Sequence, residues 1–118
     1  MPHIGRIRVV SKRKGGTPAA AHETVVHADR TNPVLGNRHI LHNHMDPEER
    51  SRVIAAHGRD LDADLARHGP VSQALHRLAV RVALGENIAL ACWCAPRPCH
   101  ADRYVQIIAE RAEQIRGS

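Results

Sequence analysis

The run Ile88-Ala89-Leu90-Ala91-Cys92-Trp93-Cys94-Ala95-Pro96-Arg97-Pro98-Cys99-His100-Ala101-Asp102-Arg103 decides how this chain folds. Its first five residues are apolar without alternation, the pattern of a strand covered on both faces. Two prolines mark Ala95 to Pro98 as a loop. Tyr104, Ile107, Ile108, Ala112 and Ile115 then recur at helical spacing, so a helix runs from about Cys99 to Ile115. The unit is strand, loop, helix. Open α/β folds place ligand sites outside the carboxyl ends of such strands. All three cysteines and the single Trp of the chain lie inside this one run.

Working outward, Gly85-Glu86-Asn87 is the turn that feeds the strand. Before it, Val71, Leu75, Leu78 and Val82 share one face of a helix over Val71 to Leu84. Gly69-Pro70 separates that helix from an earlier one. The earlier helix has a clear start: Asp46 caps it, Pro47 suits its first position, and Glu49 completes a capping box. Val53, Ile54, His57, Leu61 and Leu65 form its stripe, and Gly58 weakens its middle. Toward the N-terminus, Ile4 to Val10 and Thr24 to Ala28 read as strands, joined by a Gly- and Pro-containing loop over Lys12 to Ala21. Asp29 to Met45 is irregular, and residues 34 to 42 are where a fourth strand would lie.

The order is β-β-α-α-β-α. It predicts one small single α/β domain over residues 1–118, with a short mixed or parallel sheet and packed helices in two or three layers. With no Phe, one Tyr and one Trp, the core must be aliphatic. No apolar run approaches the ~20 residues that cross a bilayer, so no membrane partner is expected. No secretory leader is visible at Met1 to Val10, and three clustered cysteines do not suit a disulfide framework. Both points predict a cytoplasmic protein.

Charge is concentrated. The formal net charge is +5, and residues 1 to 22 hold Arg6, Arg8, Lys12, Arg13 and Lys14 with no acid. This segment either attracts polyanions such as nucleic acid or keeps an exposed strand edge from pairing. Arg outnumbers Lys fifteen to two across the chain, so the Arg count alone says little about nucleic acid.

The cysteine run supports three readings. Cys92, Cys94, Cys99 and His100 make a Cys3His donor set for zinc, although one residue separates the first pair where zinc pairs have two to four. Alternatively, Cys99 or Cys94 is a reactive or ligand-binding thiol at a helix start, with His100 as base and Arg97 and Arg103 adding positive charge. The third reading is structural, since buried Cys packs as a small apolar residue and Cys92 continues the strand. A second constellation, Asp29, Arg30, Asn32, Gly36, Asn37 and Arg38, follows the second strand and suits a phosphate or a planar polar ring. It is expected at the same sheet edge. His39, His42 and His44 form a polar loop more readily than a metal site. His57, His68 and His76 are placed on helix surfaces or core edges.

Leu90 to Arg103 resembles the signature of the domain of unknown function 4326 family, found in phages and bacteria: Cys-Trp-Cys, a proline, then Cys-His before Gly-Asp. Arg30 and Leu35-Gly36-Asn37 are similar to that family's earlier element, an Arg followed by Leu-Gly-Asn-Pro. The resemblance spans roughly Val25 to Ile108. Arg38 stands where the family has Pro, and Ala101 where it has Gly. The residues carried over are Arg30, Gly36, Asn37, Cys92, Trp93, Cys94, Pro96, Cys99, His100 and Asp102. The resemblance implies a small α/β domain and names no reaction. By association it favours nucleotide or nucleic-acid partners.

The expected function is binding of, or action on, a nucleotide-like or phosphate-bearing ligand. Cys99, His100 and Cys94 would sit at the chemistry. Arg30, Gly36, Asn37, Trp93, Asp102 and Arg103 would hold the ligand. The alternatives are a non-enzymatic zinc-stabilised module that contacts nucleic acid, and an accessory protein that binds a host protein.

Overall fold

A computed structural model describes residues 3–12, 18–29, 31–37, 39, 42–43, 45–93 and 99–117. Six elements follow in the expected order: β1 (Ile7–Ser11), β2 (Thr24–His27), α1 (Pro47–Ala66), α2 (Pro70–Ala83), β3 (Ile88–Cys92) and α3 (Ala101–Arg116). The sheet is parallel, in the order β1-β3-β2. The strand that comes last in the sequence is therefore central. All five of its residues are buried, as its unbroken apolar run requires.

Alternation along β3 divides the core. Ile88, Leu90 and Cys92 face the cluster into which all three helices pack, with Leu61 from α1, Leu75, Leu78 and Val82 from α2, and Tyr104 and Ile108 from α3. Ala89 and Ala91 face the other way, against Val10 and Ala19. Ala19 belongs to the connection from β1 to β2 and packs on this face, against which no helix among the described residues lies. The result is two layers of main elements, with small residues where only a loop covers the sheet. Six fully buried side chains (Tyr104, Leu75, Ile88, Leu90, Ile108 and Val82) anchor the helix layer, each contributing about 1.5–3 kcal/mol relative to exposure.

Some boundaries differ from the expected ones. β1 begins at Ile7, opposite Ile88, because β3 has no earlier residue to pair with. The chain before it is held otherwise: Gly5 N–H donates to the Val82 carbonyl and Arg6 N–H to Asn87 Oδ1. A side chain at Gly5 would meet the Glu86 carbonyl at 1.9 Å, so only glycine fits there. Among the described residues the sheet has three strands, and those lying within 34–42 are turn, bend or irregular rather than a fourth strand. Asn32 Oδ1 turns that segment, accepting from Val34 N–H and Leu35 N–H.

α1 starts at Pro47 with Asp46 as its cap, accepting from Glu48 N–H and Glu49 N–H, but the expected capping box does not close: Glu49 Oε1 accepts from His42 N–H and Asn43 N–H, and Asp46 N–H donates to the Asn43 carbonyl instead. No helix among the described residues is long and apolar enough to cross a membrane.

Candidate metal centre and adjoining cleft

Because the sheet is parallel, the residues after β1, β2 and β3 all emerge at one edge. Asp29 joins the three. Its Oδ2 accepts from Lys12 Nζ at 2.6 Å and from Trp93 Nε1 at 2.9 Å, while its Oδ1 accepts from Thr31 Oγ1. Burial alone would raise this carboxyl, but the Lys12 and Thr31 hydrogen bonds outweigh it and hold Asp29 well below the usual carboxylate range.

Beside this junction, Cys99 and His100 lead into α3 and meet the end of β3. Cys92 Sγ and Cys99 Sγ lie 2.7 Å apart, and Cys99 Sγ lies 3.5 Å from His100 Nδ1. Donor atoms of the three residues all fall within 4.8 Å of one another, and all three residues are buried. His100 Nε2 is 2.6 Å from the Ala28 carbonyl oxygen and 3.1 Å from that of Leu35. Carbonyls only accept, so Nε2 carries a hydrogen, and a neutral ring leaves the Nδ1 lone pair toward the sulfurs. At the start of α3, Asp102 Oδ2 accepts from Cys99 N–H at 3.0 Å. The chain's own carboxylate thus already occupies this amide.

On the other side of His100 a cleft of about 450 Å³ opens between the Pro33–Gly36 segment, α1 and the start of α2. His57 and Tyr104 line it. Their side chains are joined by a hydrogen bond of 2.8 Å between His57 Nε2 and Tyr104 Oη. The rings of His57, His100 and Tyr104 meet edge to face, with centroids 4.9 to 5.6 Å apart. Burial, reinforced by the neighbouring His100, pushes His57 down to about 4. Burial also pushes the Tyr104 hydroxyl well above its ordinary value, with Asp64 and Cys99 adding to the effect.

A family profile described as "Domain of unknown function (DUF4326)" matches residues 9–110. The chain belongs to the DUF4326 family. Neither a curated protein nor a solved structure matched it.

In this DUF4326 chain the segment after β2 reaches the cysteine run through the carbonyls of Ala28 and Leu35, which hold His100, and through Asp29, which accepts from Trp93. Gly36 lines the cleft. Asn37 turns its own loop, its Oδ1 accepting from His39 N–H. Trp93 is about half exposed and tied to Asp29. Arg103 reaches α1 instead, donating to the Gly58 carbonyl and pairing with Asp62. Arg30, Arg38, His44, Cys94, Pro96 and Arg97 lie outside the described residues.

Three polar residues, His57, Tyr104 and Asp64, were not singled out as site residues by their sequence context. His57, expected at a helix surface or core edge, is buried. Its place in the apolar stripe between Val53 and Leu61 was the available signal. Tyr104 reads as core, and its hydroxyl gains meaning only from His57. Asp64, on α1, reaches across the turn to accept from Val71 N–H and Ser72 N–H, capping α2 from another helix.

Proposed function

We propose that this chain is a zinc-stabilised binding domain, with Cys92, Cys99 and His100 as donors and Cys94 as the fourth donor the sequence offers. The observation that carries this reading is the attitude of His100. A metal-ligating histidine characteristically donates its remote N–H to a backbone carbonyl, which fixes the tautomer and aims the other nitrogen. Here Nε2 is held by two carbonyls, and Nδ1 faces a sulfur. Soft thiolates with one imidazole suit zinc.

Distances set what loading requires. Zinc–sulfur bonds of about 2.3 Å at the tetrahedral angle hold two sulfurs about 3.8 Å apart. The pair at 2.7 Å opens by about an ångström to admit the ion. Bound zinc would cross-link the end of β3, the start of α3 and, through His100, the segment after β2. Its contribution would be to stability, since donors this buried leave little access for a substrate.

Protein purified without chelator should carry about one zinc per chain, and Cys99→Ser should lose it and unfold at lower temperature. Metal-free protein whose unfolding is indifferent to added zinc would reject the proposal, as would ready closure of Cys92 and Cys99 into a disulfide on isolation.

A second reading keeps Cys99 as a thiol that acts on a nucleotide-like or phosphate-bearing ligand. Its support is the 3.5 Å separation of Cys99 Sγ from His100 Nδ1, within reach of a base. The burial of Cys99 and the occupation of its amide by Asp102 weigh against this reading.

A further inference from the structure

The cleft beside α1 contains a hydrogen-bond donor that no described residue uses. His57 is only 8 % exposed, and its Nε2 faces the Tyr104 hydroxyl. Tyr104 is wholly buried, and among the described residues its hydroxyl has no other partner. A hydroxyl hydrogen sealed in a core must be donated somewhere, so Tyr104 donates and His57 Nε2 accepts. An imidazole that accepts at Nε2 carries its hydrogen at Nδ1. Among the described residues Nδ1 has no partner, while no fully enclosed side-chain nitrogen or oxygen is left unpaired. The Nδ1–H therefore reaches the cleft that His57 lines. A protonated ring would present the same hydrogen.

The rest of the cleft limits what that donor can meet. Asp60 lies three residues further along α1, on the same face. One of its oxygens, Oδ2, pairs with His39 Nε2 at 2.7 Å, and the carboxylate is largely exposed. Its second oxygen has no partner among the described residues. Asp64 is matched by Arg67 at 3.6 Å and by the first amides of α2. Each carboxylate thus has a basic partner, and among the described residues lining the cleft no cation is left to call for a phosphate. Pro33, Val34 and Leu61 supply apolar walls. The volume, about 450 Å³, is within the range of small-molecule sites.

We infer that this cleft binds an uncharged heterocycle through a cyclic amide edge, its carbonyl accepting from His57 Nδ1–H and its ring N–H donating to the free oxygen of Asp60. Uracil-type and hypoxanthine-type nucleobases carry that edge. Cytosine and adenine bases do not, because the corresponding ring nitrogen has no hydrogen. The site is separate from the cysteine cluster and does not require zinc in it, although the two share the His57–His100 contact.

The test uses the ¹⁵N-labelled full chain as isolated. Long-range imidazole spectra should show His57 protonated at Nδ1 and bare at Nε2. Uridine and inosine, at about 1 mM, should shift the His57 signals, while cytidine, adenosine and inorganic phosphate should not. Asp60→Ala alters an exposed position and should fold; it should weaken uridine binding about tenfold, the loss expected for one hydrogen bond to a charged group. His57→Leu should abolish the binding. A neutral His57 ring with its single hydrogen on Nε2 would overturn the inference. So would equal shifts with all four nucleosides, no shift with any, displacement of uridine by phosphate, or an Asp60→Ala variant that binds uridine unchanged.

Discussion

Trp93 Nε1 donates to Asp29 Oδ2 at 2.9 Å, joining the residue after β3 to the segment after β2, sixty-four positions apart. Lys12, which follows β1, reaches the same oxygen at 2.6 Å. Asp29→Asn keeps the shape, removes the charge and leaves Lys12 without its counter-ion in a half-buried place. It should cost about 1–2 kcal/mol in chemical denaturation. Because Trp93 is the single Trp, its emission should shift to the red before global unfolding. Unchanged emission and stability would show that the three strand ends do not depend on this carboxylate.

The two described cysteines should differ in reactivity once metal is removed. Cys99 precedes α3 and has His100 Nδ1 at 3.5 Å, whereas Cys92 ends an apolar strand. In folded, metal-free protein an alkylating reagent near neutral pH should modify Cys99 or Cys94 before Cys92. Peptide mapping over time reads the order. Zinc should protect all three, and equal slow labelling without it would leave a purely structural cluster.

Gly69 is small because Asp64 needs the space. A β-carbon there would sit 2.4 Å from Asp64 Oδ2, the oxygen that accepts from Val71 N–H. Gly69→Ala should displace the carboxylate and cost about 1–3 kcal/mol. Asp64→Ala should lose the cap of α2 outright, at about 0.5–2 kcal/mol. The double variant should cost less than the two losses together, because both act through one contact. Full additivity in urea titrations would contradict the shared origin.

Glu23 sets an acid limit. The Arg8 side-chain hydrogen bonds and the Ala20 amide lower its carboxyl from 4.5 to about 2. A lowered acid group stabilises the fold above its unfolded value, and that share is lost as pH falls through the folded value. Stability should therefore decline between about pH 5 and pH 2. Arg8→Ala should be less stable at neutral pH and should lose less over the same window. Parallel pH profiles for the two proteins would argue against the pair.

The basic N-terminal segment is partly committed within the fold, with Arg8 on Glu23 and Lys12 on Asp29. Arg13 and Lys14 lie outside the described residues and are the pair to test against nucleic acid. Neutralising both should flatten the logarithmic salt dependence of duplex DNA binding by about 2 units. Absence of binding at low salt would remove nucleic acid as a partner of this segment.

Much of the architecture was written locally. The unbroken Ile88–Cys92 run marked the covered strand, Asp46-Pro47 marked the start of α1, and the Tyr104–Ile115 stripe marked α3. The clustering of Cys92, Cys99 and His100 was equally local, being a matter of spacing. The motif residues also carried the DUF4326 membership. These features depend on periodicity, caps and turn chemistry, which act over a few residues.

Only the tertiary structure decided which distant groups meet. Placing β3 between β1 and β2 brings all three strand ends to Asp29. The reach of side chains between α1 and α3 turns His57, a polar residue in an apolar stripe, into the partner of Tyr104 and the neighbour of His100. The carbonyls of Ala28 and Leu35 orient His100, and no side-chain pattern announces a backbone carbonyl. Side-chain identity is written in the sequence, but the tautomer and direction of an imidazole are set by whatever the fold places on its other side.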